Sequence, residues 1–146
     1  MQSWTLPYVP GSWYGPRPVY VLTGRQTFSG AEAVAYCLQN RKRAIVIGER
    51  TGGGAHLSAG IPLPGGFGLS LPTGRAVDPL TGTNWEGTGV APDVEVPEAE
   101  ALVVAQAAAL RHMLETFGDT GSRPDRALLE EARRTLAELE RPASTT

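Results

Sequence analysis

A serine placed between an apolar run and a helical pattern is the first feature of this sequence that could do chemistry. Ser29 lies in the stretch Thr27–Glu32, which follows the apolar run Val19–Leu22. Where a strand leads into a helix, a serine presents its hydroxyl beside the free N–H groups of the helix start, which can bind an oxyanion. That arrangement suits acyl transfer with serine as the nucleophile. The same residues also fit a structural role, because a serine with Glu32 three residues later is the pattern of an N-terminal capping box.

The residues around this serine predict a βαβ unit that would position it. Val19–Leu22 and Ala44–Ile47 are short apolar runs of the buried-strand type, and Phe28–Gln39 between them has apolar residues at helical spacing. Arg41, Lys42 and Arg43 end the helix with charges that favour its C-terminal end. We therefore expect two parallel strands joined by a right-handed crossover.

Composition divides the rest of the chain. Residues 1–18 are rich in proline and aromatic residues, which predicts an extended arm that is not helical. Residues 48–90 hold 12 of the 18 glycines, which predicts short strands and turns wrapped around a site. The clearest alternating piece within them is Phe67–Leu71.

The C-terminal part of the sequence predicts a helical hairpin. Residues 98–117 and Pro124–Leu139 each place apolar residues at helical spacing. With 146 residues we expect one domain, made of the arm at 1–18, a core at 19–96, and a helical hairpin and tail at 97–146. The positions expected on the buried faces of the three predicted helices are Val34, Ala35, Cys37, Leu38, Ala101, Leu102, Ala105, Ala108, Ala109, Met113, Leu128, Leu129, Ala132, Leu136 and Leu139.

Composition and charge argue against binding to nucleic acid, metal ions, other cofactors and membranes. The formal net charge is −2 with scattered signs, so we expect no nucleic acid. The single Cys37, expected as a core thiol, leaves no internal disulfide and no multi-cysteine metal site, and we expect neither a metal nor another cofactor. No apolar run approaches the roughly 20 residues that span a bilayer, so we expect no membrane partner. The first residues do not form a secretory signal, which predicts a cytoplasmic location for the chain as it stands.

Four motifs in sequence order resemble the C-terminal-processing (tail-specific) serine peptidases. They are Pro18–Glu32, Gly48–His56, Pro72–Pro79 and Asn84–Asp93. The resemblance covers almost the whole chain and points to the branch that includes bacterial homologues of interphotoreceptor retinoid-binding protein. It implies an α/β fold: a partial ClpP/crotonase-like βαβ core, an irregular glycine-rich β region and a C-terminal helical hairpin. The chain would correspond to the C-terminal portion of the family's catalytic domain.

Carried over to this sequence, the resemblance makes Ser29 the nucleophile and excludes a Ser-Lys dyad. The family's nucleophile is the serine three residues before a glutamate at this junction, and Ser29 stands three residues before Glu32. In the best-known branch the general base is a lysine that would fall at position 54, which is Gly54 here. Glycine cannot take a proton, and Lys42 lies at the far end of the predicted helix.

Related tricorn-like and chlamydial branches use serine, histidine and glutamate, which points to Glu86. Their glutamate follows the serine at the spacing that separates Ser29 from Glu86, so the resemblance gives Glu86 the role of supporting an imidazole. The alternative is a turn carboxylate beside Trp85. The histidine of those branches lies upstream of the serine, where this chain has none, so His56 is the in-chain substitute as base. The alternative is that His56 is a loop histidine whose ring bonds to backbone. The expected oxyanion donor is the N–H of Gly30.

Two functions from different classes follow. The first is a serine-type peptidase that acts on polypeptide tails through an acyl-enzyme on Ser29. The second is a non-catalytic binding or assembly module of the same fold, which would hold an apolar ligand or a partner strand near Ile61–Leu63 and Phe67. Because the family's preceding βαβ half would lie before Met1, we expect an open strand edge. We expect the aromatic arm, a second copy of the chain, or a partner that supplies the missing half of the fold to cover that edge, and we predict self-association.

Overall fold

The computed structural model describes residues 8, 10–12, 14–118 and 126–141, which form a parallel sheet covered by helices and a β-hairpin that extends from it. In chain order the elements are β1 (Tyr20–Thr23), α1 (Gly30–Asn40), β2 (Ile45–Gly48), β3 (His56–Pro62), β4 (Gly68–Arg75), β5 (Val94–Glu95), α2 (Glu98–Gly118) and α3 (Arg126–Leu139). Half of the predicted aromatic arm, including Trp4 and Trp13, lies outside the described residues. Its last part is not helical and is tied to the core by Arg43, which donates to the carbonyls of Gly15 and Arg17.

The predicted βαβ unit is present. Strands β1 and β2 pair in parallel, with Tyr20 opposite Ile45 and Thr23 opposite Gly48, and α1 connects them. The strands begin one residue later than the sequence predicts. Strand β5 pairs in parallel with the other side of β2, so the order is β1-β2-β5 and β1 is an edge strand among the described strands.

The two faces of β2 explain why its sequence is apolar without alternation. Successive side chains of a strand point to opposite faces. Val46 packs against Ala35 of α1, whereas Ile47 packs against Ala101 and Ala105 of α2. Both strand residues are almost completely buried, because a helix covers each face of the sheet.

Several predicted helix faces are wrong in detail. Val34 and Leu102 are exposed, while their neighbours Ala35 and Ala101 make the buried contacts. Residues one apart differ by about 100° around a helix axis, so both side chains turn away from the sheet. Cys37 is half-buried, so the expectation of a core thiol is also wrong.

The predicted helical hairpin is formed by α2 and α3, which pack against each other. Arg111 of α2 pairs with Glu140, just after α3, at 2.6 Å. In α3 only Ala132 of the expected face is fully buried, and Leu128 is exposed. The predicted connection between the helices lies mostly outside the described residues.

The glycine-rich region forms an antiparallel hairpin of β3 and β4. His56 lies opposite Arg75 near its base, and Pro62 lies opposite Gly68 at its tip. Paired residues share one face of a hairpin, so the pairs Ala59–Leu71 and Ile61–Leu69 lie on the same side. We call these four residues the apolar hairpin face, and all four are exposed.

Candidate active site

The backbone of Ser29 is in a conformation that few residues other than glycine adopt. It lies between β1 and α1 with φ 53° and ψ −116°. An ordinary N-cap residue has extended backbone angles, so capping alone does not require this conformation. A positive φ at a non-glycine residue costs about 1–3 kcal/mol and is found most often at functional sites. A strained strand-to-helix turn is how the α/β-hydrolases present a nucleophilic serine hydroxyl.

Glu32 ties this turn to the glycine-rich segment. The N–H of Ser29 donates to Glu32 Oε2 at 2.7 Å, which is the glutamate half of the predicted capping box. The same carboxylate accepts the N–H groups of Gly53 at 2.7 Å and Gly54 at 2.8 Å, together with the hydroxyl of Thr51. One buried side chain therefore fixes the start of α1 against the turn that follows β2.

The carboxyl of Glu32 remains ionised although it is completely buried. Loss of solvent raises its pKa, but the hydrogen bonds from Thr51, Gly54, Gly53 and Ser29 together lower it below the ordinary value. A buried carboxylate with this many donors is a structural anchor rather than a proton acceptor. The sequence predicted only its contact with the helix start, because its other partners are 19 to 22 residues away.

His56 and Glu86, which the family resemblance implies as base and supporting carboxylate, lie in contact. Glu86 Oε1 lies 3.6 Å from His56 Nδ1. Its Oε2 accepts the N–H of Ala55 at 2.6 Å and the N–H of His56 at 2.9 Å. The side chains of His56 and Glu86 are 35% and 38% exposed, so both can be reached from solvent.

These contacts lower the pKa of Glu86. The hydrogen bond from Ala55 N–H makes the largest contribution and opposes the smaller effect of burial, and the N–H and charge of His56 lower the pKa further. Glu86 is thus an anion at neutral pH, which is the state required to stabilise a charged imidazole.

The loop after β4 also binds the glycine-rich turn, through hydrogen bonds to its carbonyl groups. Trp85 is buried and donates its Nε1–H to Gly54 O at 3.1 Å, and Gly87 N–H donates to Gly53 O at 2.9 Å. The ring of Trp85 packs against Tyr36 of α1 with 5.3 Å between centroids. The turn that carries His56 is therefore held by Glu32 of α1 and by the loop after β4.

The site lies at the carboxyl ends of the parallel strands. Ser29 follows β1 and His56 follows β2, and ligands of open α/β sheets bind beyond these strand ends. Among the residues that the structure describes, no hydrogen bond joins Ser29 to His56. The structure thus brings His56 and Glu86 into contact and places Ser29 on the separate turn before α1.

Gly30 has the geometry expected of an oxyanion donor. It is the first residue of α1, so its N–H has no acceptor within the helix. A Cβ atom built on Gly30 would meet no heavy atom within 4 Å. The side of Gly30 on which a side chain would lie is therefore open.

Two aspartates in the recognised motifs have structural roles. Asp78 is buried, accepts Leu80 N–H at 2.8 Å and pairs with Arg41 at 3.0 Å. The Leu80 hydrogen bond is the largest influence on the pKa of Asp78, and together with Arg41 it lowers that pKa despite burial. Asp93 accepts Val46 N–H at 2.8 Å and so holds the loop before β5 against β2.

Other kinds of site receive no support from the described part of the chain. Within it, no group of three or more His, Cys, Asp and Glu side chains is arranged to hold a metal ion. None of its helices is long and apolar enough to cross a membrane.

Comparison with known proteins identifies sequence relatives across the core. A profile described as Peptidase family S41 matches residues 11–96. The chain is 34% identical over 79 residues to a chloroplastic C-terminal processing peptidase of Tetradesmus obliquus, an alignment that covers 54% of this chain and 17% of the relative. It is 34% identical over 82 residues to a carboxy-terminal-processing protease of Bartonella bacilliformis, covering 56% and 19%.

The fold has relatives among solved structures. The chain superposes on mature CPAF with a TM-score of 0.55 and 24% identity, covering 70% of this chain and 21% of that one. This likeness concerns the fold alone. The aligned part of the chain corresponds to less than a fifth of the length of the two sequence relatives.

Proposed function

Because the chain belongs to peptidase family S41, we propose that it is a serine-type peptidase domain that cleaves polypeptide tails through an acyl-enzyme on Ser29. The strained backbone of Ser29, held at the start of α1 by Glu32, is the observation that carries the proposal. A helix cap does not need this conformation, whereas a nucleophile at a strand-to-helix turn does. The names of the relatives, both C-terminal processing enzymes, support polypeptide tails as the substrate class.

Each side chain at the site has a role in this mechanism. Ser29 Oγ attacks the substrate carbonyl while His56 takes its proton, and Gly30 N–H donates to the oxyanion that forms. Glu86, 3.6 Å from the imidazole, stabilises the positive charge that His56 acquires. His56 then protonates the leaving amine, and water hydrolyses the acyl-enzyme by the same steps in reverse.

We also propose that the core has a ClpP/crotonase-like arrangement and that the chain forms a single domain. A parallel sheet with α1 and α2 on its two faces and the site beyond its strand ends supports the ClpP/crotonase-like arrangement expected for the core. Contacts of α2 with both β1 and β2 support a single domain that includes the helical hairpin.

A fluorophosphonate probe tests the mechanism directly. We expect covalent labelling of the chain at pH 7.5, lost in Ser29→Ala and retained in Ser70→Ala, which removes an exposed serine of β4 instead. His56→Ala should slow labelling by about 10²-fold or more, the usual contribution of a general base. An unlabelled wild-type chain that is folded by circular dichroism would contradict the proposal.

A binding or assembly module is the second function that an observation favours. The apolar hairpin face is exposed, and position 54 carries no ionisable side chain. In this alternative, retinol as an apolar probe changes the fluorescence of Trp85 while the fluorophosphonate leaves Ser29 unmodified. Ile61→Ser on the hairpin face should then abolish the fluorescence change.

A further inference from the structure

The glycines of the turn Gly52–Gly54 are not all explained by backbone conformation. Gly53 has φ 91°, which favours glycine. Gly52 and Gly54 do not have a positive φ, so their backbone angles are open to any residue. A different feature must account for the missing side chains at these two positions.

That feature is the ring of Phe28. A Cβ atom built on Gly54 would lie 2.5 Å from Phe28 Cε1 and closer still to Cζ, and one built on Gly52 would lie 2.7 Å from Cδ2. Real Cβ atoms do not approach other atoms this closely. The aromatic ring therefore occupies the side-chain space of both glycines and packs directly on their backbone.

The turn is thus held between two side chains from the segment that carries the nucleophile. Glu32 binds the N–H groups of Gly53 and Gly54, and Phe28 covers the glycines with its ring. Phe28 directly precedes Ser29. Although it packs on the turn, Phe28 is 56% exposed to solvent. His56 follows the turn by two residues, with its N–H bound to Glu86.

We propose that Phe28 is a positioning residue whose ring holds the bare glycine turn in place and thereby sets His56 relative to Ser29. The effect on reaction rate rests on the proposed peptidase mechanism, whereas the contact between ring and turn does not. While the ring is in place, position 54 has no room for a side chain, so the base must come from elsewhere on the turn.

A double-mutant cycle tests the contact without any reaction. Gly54→Ala should lower Tm by about 2–4 °C in the wild-type chain, because its methyl group displaces the Phe28 ring from the turn. In the Phe28→Ala background the same change should lower Tm by less than half as much. Gly60→Ala is the matched control, since a Cβ there meets nothing within 4 Å and it too has no positive φ. Equal losses from Gly54→Ala in the two backgrounds would overturn the contact.

Probe labelling of Ser29 tests the consequence for the reaction. We expect Phe28→Ala to slow labelling by about 10²-fold, the scale of a misplaced catalytic group. Phe28→Leu should recover part of the rate, and Phe117→Ala, which removes an exposed phenylalanine near the end of α2, should leave the rate unchanged.

The pKa of Glu86, followed by NMR, separates positioning from general destabilisation. Loosening the turn weakens the bonds that Ala55 and His56 donate to Glu86, so Phe28→Ala should raise this pKa towards its ordinary value. An unchanged rate together with an unchanged Glu86 pKa in folded Phe28→Ala would overturn the proposal. If the wild-type chain is not labelled at all, the peptidase mechanism fails, while the Tm cycle and the Glu86 pKa still decide whether Phe28 positions the turn.

Discussion

At the scale of single residues, the geometry of the site depends most on Glu32. Its carboxylate accepts three backbone N–H groups and the Thr51 hydroxyl in a fully buried position. In Glu32→Gln a side-chain NH₂ group replaces one acceptor oxygen and faces these donors. We expect the free energy of unfolding to fall by about 3 kcal/mol, measured by urea denaturation at pH 7. Glu131→Gln, on the exposed face of α3, is the control and should change it by about 0.5 kcal/mol at most.

The lowered pKa values of three carboxyls predict the response of stability to acid. Glu32, Asp78 and Glu86 all titrate below their ordinary values of 4.5, 3.8 and 4.5. A carboxyl with a lowered pKa in the folded state stabilises the protein above its ordinary pKa, and that contribution is lost as pH falls through the folded-state value. Urea unfolding between pH 7 and pH 3 should therefore show nearly constant stability at the upper end and a steady loss in the acid region. A smaller acid loss is expected in Glu32→Gln, and an equal loss would contradict the assignment.

At the site, contacts between residues close in sequence could be predicted from the sequence, whereas contacts between distant residues could not. The spacing of Ser29 and Glu32 lies within one helical turn, so a sequence pattern captures it. The pairing of His56 with Glu86 followed from resemblance to a family rather than from the local pattern. The ring of Phe28 on Gly54 could not be predicted, because it depends on how two loops from different strands approach each other. The catalytic roles of these residues stay predictions until the probe experiment is done.

At the scale of elements, burial along β2 can be tested within one strand. Ile45 and Ile47 point to the same face of the sheet, but Ile47 is 1% exposed beneath α2 while Ile45 is 43% exposed. We expect Ile47→Ala to lower the free energy of unfolding by about 2–5 kcal/mol, because it removes buried methyl groups and leaves a cavity. Ile45→Ala should cost less than about 1 kcal/mol in the same urea experiment. Similar losses for both would show that α2 does not cover the sheet as described.

The accuracy of the element predictions followed the strength of the local signal. Strands β1 and β2 were found to within one residue because both apolar runs are short and rich in β-branched or aromatic residues, which favours a strand over a buried helix. The hairpin of β3 and β4 was anticipated only as strands and turns, since Gly60, Pro62 and Pro72 interrupt the alternation and the register depends on the partner strand. Helix faces were predicted from apolar residues of every size; the small residues Ala35 and Ala101 are buried as expected, whereas the larger Val34 and Leu102 beside them are exposed.

At the scale of the whole molecule, the outer edge of β1 is the part of the sheet without a paired strand among the described residues. Strand β1 pairs only with β2 among the described strands, so its outer edge presents unpaired backbone groups. Leu22 on this strand is exposed. An uncovered edge strand with apolar side chains favours pairing with another chain. The chain also aligns with less than a fifth of the length of its sequence relatives.

We therefore expect the isolated chain to self-associate through β1, with a mass by light scattering above the 15.5 kDa of one chain at micromolar concentration. Leu22→Lys places a charge on the edge strand, which disfavours edge-to-edge pairing, and should shift the mass towards that of one chain. Leu102→Lys makes the same change at an exposed position of α2 and should leave the mass unaltered. A monomeric wild-type chain would contradict self-association. Equal effects of the two lysines would instead place the contact away from β1.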